Sequence, residues 1–229
     1  MTWQIIAAGI LSCVLGYLLG SLSFAVIISK CVYHKDVREF GSGNAGMTNI
    51  LRTFGKKAAA FTLLGDMAKG TAAVLLARAL FQLIAQTDSV YGAYLAGIFA
   101  LLGHLFPLYF HFKGGKGVAV GAGTIIGTEP WVVLALIIIF LIVVCVTRIV
   151  SLSSIVVAAL YPVLTYLYYW LLPTGPIAWL CALMAAVMGG IVIFMHRQNI
   201  KRLLNGTEYK FGQKKAEEKA RQEAGTKSE

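Results

Sequence analysis

Long apolar runs, broken only by short polar segments, set the strongest limit on how this chain can fold. The first run covers residues 3–29, more than the roughly 20 residues that an α-helix needs to cross the hydrocarbon core of a bilayer. Hydrophobic residues make up 58% of the 229 positions and charged residues only 13%, too apolar a balance for the surface of a soluble domain. The sequence therefore predicts an all-α, polytopic membrane protein.

Further spans are predicted from apolar runs of similar length. They cover residues 58–85, 89–110, 131–147, 150–172 and 177–195. One more run, residues 117–127, is too short to cross alone at about 1.5 Å per residue, although a polar break separates it from the next span. The number of crossings therefore depends on whether this short segment reaches the other side.

The distribution of lysine and arginine favours a crossing there. If residues 117–127 cross, every Lys and Arg except Lys69 and Arg78 lies in connections on one side, and the opposite connections carry none. The positive-inside rule then predicts seven transmembrane helices in the cell membrane, with the N-terminus outside and the C-terminus cytoplasmic. A re-entrant loop would put the basic C-terminal segment outside, which the rule disfavours.

Composition also limits the domain organisation and the partners. We predict one integral membrane domain over residues 1–209 and a polar, charged cytoplasmic tail over residues 210–229. The net charge of +10 lies at one membrane edge, so attraction to membrane lipids and anionic substrates is favoured over binding to nucleic acid. Cysteine and histidine show no metal-ligand spacing, so neither a metal nor another cofactor is expected.

Three polar, glycine-containing segments lie on the same face in this topology. We call them the first patch (residues 41–52, GSGNAGMTNILR), the second patch (residues 112–117, FKGGKG) and the third patch (residues 196–208, HRQNIKRLLNGTE). Each lies at the end of an apolar segment. Their common location predicts one composite site for a phosphorylated ligand.

The first patch mixes glycines with short polar side chains, which is typical of a loop that aims several backbone N–H groups at one anion. Arg52 closes the patch, and its planar guanidinium suits a phosphate held by two hydrogen bonds. An ordinary polar turn is the alternative explanation for the glycines alone. The candidate phosphate-binding residues of this patch are Ser42, Gly43, Asn44, Thr48, Asn49 and Arg52.

The second patch surrounds Lys116 with Gly114, Gly115 and Gly117, just before a segment that could begin a helix with its positive end facing the loop. This pattern predicts a phosphate cradle. It is not a nucleotide P-loop, which needs Ser or Thr directly after the Gly-Lys pair, where this chain has Gly117. ATP chemistry is therefore not indicated.

The third patch places His196 and Asn199 on one helical face. A histidine beside an amide can orient a hydroxyl or donate to a phosphate, although a helix end often carries histidine as a simple cap. In the second span, Asp66 and Lys69 either neutralise each other or line a cavity. We include Lys69 among the candidate phosphate ligands, and we assign Asp66 and His104 to structural support.

Taken together, the three patches, with the stretch GHLFPLYFHFKGGKGVAVG around the second, resemble the bacterial acyl-phosphate-dependent glycerol-3-phosphate acyltransferases. The resemblance implies transfer of a fatty acyl group from acyl phosphate to the 1-hydroxyl of sn-glycerol 3-phosphate, giving lysophosphatidic acid and phosphate. It also implies functional neighbours, the enzyme that forms acyl phosphate and the enzyme of the second acylation.

Residue roles follow from the resemblance position by position. Essential polar residues of that family match Ser42, Arg52, Lys116, His196 and Asn199, and the family's glycerol-phosphate loop matches residues 114–117. Glu208 matches a glutamate that supports structure. Val120 departs from the pattern, since many relatives have Thr there, and this affects one minor hydrogen bond.

Other classes fit less well. His34 and Glu39 have the spacing of the H-x4-D acyltransferases but the wrong acid, and the dispersed aspartates do not suit a CDP-alcohol phosphotransferase. A transporter of an organic phosphate would explain the phosphate-binding patches and the charges within the second span. Transporters usually bind at mid-membrane between repeated halves, whereas these patches lie at one edge and no repeat is evident.

Overall fold

The computed structural model describes residues 1–87, 89–172 and 177–212, and within them it contains helices, turns and no strand. The helices are α1 (Thr2–Gly20), α2 (Phe24–Tyr33), α3 (Met47–Phe54), α4 (Lys56–Leu80), α5 (Val90–Leu105), α6 (Val118–Thr128), α7 (Pro130–Thr147), α8 (Val150–Leu171), α9 (Ile177–Met195) and α10 (Arg197–Leu204). The all-α prediction is confirmed. The predicted tail falls almost entirely outside the described residues.

Six helical segments among the described residues are long and apolar enough to span a membrane. They agree with the six long predicted spans to within a few residues, except that the first is not one continuous helix. The helix is interrupted between α1 and α2 at Ser21–Ser23, where Ser23 has an extended backbone. The break frees the Leu22 carbonyl, which accepts a hydrogen bond from Lys69 Nζ at 2.6 Å.

Small residues allow the helices to pack closely. A Cβ at Gly20 would collide with the Ala100 backbone, which brings α1 against α5, and a Cβ at Gly189 would collide with the Ala158 carbonyl, which brings α9 against α8. Helix association in lipid depends on such close packing and on hydrogen bonds, because lipid tails are as apolar as the side chains. Large exposed apolar residues, such as Ile142 on α7, therefore face lipid.

Helix α6 is the short predicted segment, and its 11 residues span only about 16 Å. It packs along α4, where a Cβ on Gly123 would collide with the Met67 backbone. The turn from α6 to α7 contains Glu129, which is 0% exposed. Its carboxylate accepts hydrogen bonds from Tyr94 Oη and, at 2.9 Å, from Thr165 Oγ1. These contacts connect the turn to α5 and α8.

Candidate active site

The first patch is a loop held in shape by one buried amide. Asn49 is 2% exposed, donates to the carbonyls of Val37 (3.0 Å) and Phe40 (2.9 Å), and accepts from the backbone N–H of Ser42 at 3.0 Å. Gly41 has a φ of +59°, and a Cβ there would collide with Asn49 Oδ1. Asn49 therefore fixes the loop from behind and leaves Ser42 exposed at its surface.

Arg52 joins the first patch to the C-terminal segment. It lies in the last turn of α3, with its guanidinium 4.1 Å from the ring centroid of Tyr209. Tyr209 directly follows the third patch in sequence, so this cation–π contact brings the two patches together. The guanidinium N–H groups have no hydrogen-bond partner within the described residues and remain able to bind an anion.

A second arginine, Arg38, connects the segment just before the first patch to the segment just before the second. Arg38 makes two hydrogen bonds to the Asp36 carboxylate, at 2.9 and 2.7 Å, and its Nη1 donates to the Phe110 carbonyl at 2.7 Å. The Arg38 hydrogen bond is the largest influence on Asp36 and lowers the pKa of that carboxyl far below its usual value. This charged pair therefore fixes the two loops relative to each other.

The second patch is pinned to the end of α5. Gly114 N–H donates to the Leu105 carbonyl and Gly115 N–H to the His104 carbonyl, both at 3.2 Å, and a Cβ at either glycine would collide with His104. Gly117, with a φ of +87°, then starts α6. The backbone N–H groups of Lys116 and Gly117 have no protein acceptor within the described residues, so they are the loop donors left for an anion.

Behind the second patch lies a buried group of charged residues. Lys69 Nζ is 2.8 Å from Asp66 Oδ1 and 3.0 Å from His104 Nδ1, and it also donates to Leu22 O. All three side chains are less than 5% exposed. The Lys69 ammonium therefore has three close partners inside the protein, one of them an ion-pair contact to Asp66. Of the two interpretations left open by the sequence, this geometry favours the structural pair.

His196 precedes α10 and is 3% exposed. Its Nδ1 lies 2.8 Å from the Val192 carbonyl, and a carbonyl can only accept, so Nδ1 carries the hydrogen. Burial lowers the pKa of His196, and the nearby Lys116 charge lowers it further, although the Val192 hydrogen bond opposes this shift. The ring is therefore neutral at pH 7, with a lone pair on Nε2.

Glu208 organises the rest of the third patch. Its Oε1 accepts hydrogen bonds from Ser151 Oγ and Asn199 Nδ2, both at 2.7 Å, and its Oε2 accepts from Arg202 Nε at 2.6 Å. Burial acts to raise the pKa of Glu208, but these three hydrogen bonds lower it on balance. Because Asn199 Nδ2 is committed to Glu208, its Oδ1 faces the other way and accepts from Lys116 Nζ.

The cations of the three patches influence one another. Burial lowers the pKa of Lys116 to about 8, and repulsion from Arg202 and Arg52 contributes, while Glu208 partly offsets it. A partly buried lysine that two arginines repel is stabilised when an anion binds beside it. The geometry therefore suits a ligand with one or more phosphates.

The comparisons with known proteins agree with this chemistry. Residues 10–206 match the family model described as glycerol-3-phosphate acyltransferase. The chain belongs to the glycerol-3-phosphate acyltransferase family. A glycerol-3-phosphate acyltransferase of Bordetella pertussis is 46% identical over 207 residues, which cover 88% of this chain and 91% of the relative. One from Clostridioides difficile is 41% identical over 206 residues, covering 90% and 97%.

Two solved structures are similar as well. Both are crystal structures of PlsY (YgiH), an integral membrane glycerol 3-phosphate acyltransferase. Its glycerol 3-phosphate form aligns with a TM-score of 0.77 and 35% identity, covering 91% of this chain and 98% of that one. Its lysophosphatidic acid form aligns with a TM-score of 0.74 and 34% identity, covering 89% and 95%. These findings support a membrane acyltransferase of phospholipid synthesis and not the phosphate transporter.

The structure of this acyltransferase brings many of the predicted site residues together and separates others from the site. Lys116, His196 and Asn199 form one cluster, whereas the Asn49 amide and the Lys69 ammonium are occupied by protein partners. The backbone N–H groups of Gly114 and Gly115 are also occupied. The residues missed by the sequence analysis are Arg38, Ser151, Arg202 and Tyr209.

Only one of these missed residues had a usable signal. Arg202 lies three residues after Asn199 in the same helical segment, a spacing that puts both on one face. The other three lie outside the patches, Arg38 and Tyr209 close to them in sequence and Ser151 far from them. Only the tertiary fold shows which partners they contact.

Proposed function

We propose that this acyltransferase transfers a fatty acyl group from acyl phosphate to the 1-hydroxyl of sn-glycerol 3-phosphate, releasing lysophosphatidic acid and phosphate. The observation that carries the proposal is the convergence of Arg52, Lys116 and Arg202, from three separate segments, around His196 and Asn199. Both proposed substrates carry a phosphate, and the acyl carbonyl becomes anionic in the transition state. Such charge is best stabilised by fixed cationic and N–H donors.

Phosphate binding is assigned to the open donors of the site. In this proposal Arg52 and Lys116 hold the phosphates of the two substrates, assisted by the free N–H groups at Lys116 and Gly117. The exposed and partly exposed first-patch residues supply further polar contacts. They are Ser42, Gly43, Asn44 and Thr48. Asn49, Gly114 and Gly115 act by holding the loops in shape, and Lys69 joins Asp66 and His104 in structural support.

The reaction needs positioning more than covalent catalysis. The 1-hydroxyl oxygen forms a bond to the acyl carbon, the bond from that carbon to the phosphate oxygen breaks, and the hydroxyl proton ends on the released phosphate. Neutral His196 offers the Nε2 lone pair to the hydroxyl hydrogen and so can orient the attacking oxygen. Acyl phosphate is a mixed anhydride with a good leaving group. Holding the two reactants together in the right geometry can therefore supply a large part of the decrease in activation free energy.

The proposed location is the cytoplasmic edge of the cell membrane, with residues 1–209 as one catalytic domain crossing seven times. Helices α6 and α7 meet at the buried Glu129, and 18 residues of α7 extend about 27 Å from there. Because α6 spans only about 16 Å, antiparallel helices would leave the second patch about 10 Å below the edge reached by α7. There a hydrocarbon chain and a phosphate can be bound together.

Opposite locations of the two chain ends are expected from seven crossings. Thr2→Cys and Lys201→Cys, both at exposed positions, are introduced separately into a variant without native cysteines. A membrane-impermeant maleimide should label position 2 in intact cells and position 201 only in inverted vesicles. Labelling of both positions from the same side would contradict the seven-helix topology and favour a re-entrant α6.

Phosphate release by the purified protein tests the reaction itself. With palmitoyl phosphate, we expect release that depends on glycerol 3-phosphate and no turnover of palmitoyl-CoA. Lysophosphatidic acid should form in equal amount. Release of free CoA from palmitoyl-CoA, or no release of phosphate from palmitoyl phosphate by folded protein, would contradict the proposed donor. We also propose two functional neighbours, the enzyme that forms acyl phosphate and the enzyme of the second acylation. Whether they co-purify with this protein can be tested in the same preparation.

A further inference from the structure

An apolar groove leaves the candidate active site between α5 and α9. It has a volume of about 310 Å³ and no polar lining, and it is formed by Leu102, Leu105, Phe106, Gly190, Ile191, Phe194 and Met195. None of these residues was a candidate site residue in the sequence analysis, although Leu105 and Phe106 lie in the stretch around the second patch. The groove is a concave feature on a surface that otherwise faces lipid with large apolar side chains.

One end of the groove meets the site through neighbouring residues. Met195 lines the groove and directly precedes His196, while Leu105 lines it and accepts the hydrogen bond from Gly114 N–H. His196 and the second patch are therefore both connected directly to residues that line the groove. An acyl chain whose carbonyl lies beside His196 and Lys116 has this apolar channel directly next to it.

Gly190 keeps the groove open. Most helical glycines in this fold allow a neighbouring helix to approach, as Gly189 does against Ala158, but a Cβ on Gly190 would have no atom within 4 Å. Helix packing therefore does not require glycine there, and glycine destabilises a helix relative to alanine. Gly190 lies six residues before His196, about 9 Å along the helix axis, at the far end of the groove.

We propose that this groove binds the acyl chain of the donor and of the lysophosphatidic acid product, and that Gly190 determines the chain length accepted. The inference rests on the proposed function, because it needs a substrate with a hydrocarbon chain attached to the reacting carbonyl. A side chain at position 190 would obstruct a long chain and leave a short one unaffected.

The test is a chain-length profile of Gly190→Leu with butyryl phosphate and palmitoyl phosphate. We expect kcat/KM for palmitoyl phosphate to fall about tenfold or more and kcat/KM for butyryl phosphate to stay within about twofold, because rejection by a filled apolar pocket is of this size. The control Ala72→Leu places the same side chain at an exposed position on α4 and should change neither value. An equal fall for both donors, or no change, would overturn the inference.

A binding measurement keeps the inference testable without turnover. Lysophosphatidic acid with a diazirine in its chain is photolysed with the wild-type protein, and the labelled peptides are identified by mass spectrometry. We expect labelling within residues 102–106 and 190–195 that excess unlabelled lysophosphatidic acid displaces. Labelling spread over α7, or labelling that unlabelled lysophosphatidic acid does not displace, would assign the groove to bulk lipid and overturn it. Failure of the phosphate-release assay alone would contradict the donor and not the groove.

Discussion

Replacing His196 with alanine is expected to lower kcat by about 10²- to 10⁴-fold, with a smaller change in KM for glycerol 3-phosphate. The Val192 carbonyl holds Nδ1, and the buried ring is neutral, so only Nε2 can receive the substrate hydroxyl. Removing the ring leaves the phosphate-binding cations in place. Because orientation of the hydroxyl matters most in the transition state, the loss should fall mainly on kcat.

The control for this variant is Lys201→Ala, an exposed position on the neighbouring helix α10 that should keep wild-type kinetics. Thermal unfolding of both variants separates lost chemistry from lost structure, since His196→Ala also removes the hydrogen bond to Val192. A folded His196→Ala protein with an undiminished kcat would remove His196 from the mechanism.

Membrane spans could be predicted from the sequence because their cause is local. A run of about 20 apolar residues is sufficient for a helix to cross a bilayer, whatever the rest of the chain does. The break at Ser21–Ser23 was missed because those short polar residues do not interrupt the apolar run. The break is stabilised from outside it, by Lys69 on α4, and no local pattern reports such a contact.

The patches predict where a phosphate would bind, but not which donors are free. Gly114 and Gly115 look like phosphate donors in the sequence, yet their N–H groups bond to the end of α5. Lys69 looks like a candidate cation, yet its ammonium contacts protein partners inside the fold. Whether a polar group is spent on structure or left for a ligand depends on tertiary neighbours. Composition and spacing cannot supply that information.

A charge at position 116 is expected to control activity at alkaline pH. The pKa of Lys116 is about 8 in the free enzyme. Its amine is therefore positively charged below that pH, and the charge is lost as the pH rises through that value. Accordingly, kcat/KM should fall on the alkaline side of about pH 8, since this ratio reports the free enzyme. A bound phosphate stabilises the charged form, so the fall in kcat should occur at higher pH.

Two substitutions separate the charge of Lys116 from its shape. Lys116→Met should lower kcat/KM at pH 7 by about 10²- to 10³-fold, the usual loss when one donor to a developing anion is removed. Lys116→Arg should be less active than wild type at pH 7 but should lose the alkaline fall, because a guanidinium stays charged throughout this range. Lys113→Met, at an exposed position in the same loop, is the matched control and should keep both rate and profile.

The alkaline fall in the Lys116→Arg variant is the decisive measurement. If it persists with its midpoint still near pH 8, the titrating group is not Lys116, and the mutual repulsion of Arg52, Lys116 and Arg202 does not set the pH dependence. If it disappears while activity remains, Lys116 is the titrating group, and its pKa is lowered by burial and, to a smaller extent, by the charges of Arg202 and Arg52. The same lowered pKa would then make the enzyme less active at high pH and make its charged site more stable when a phosphate binds.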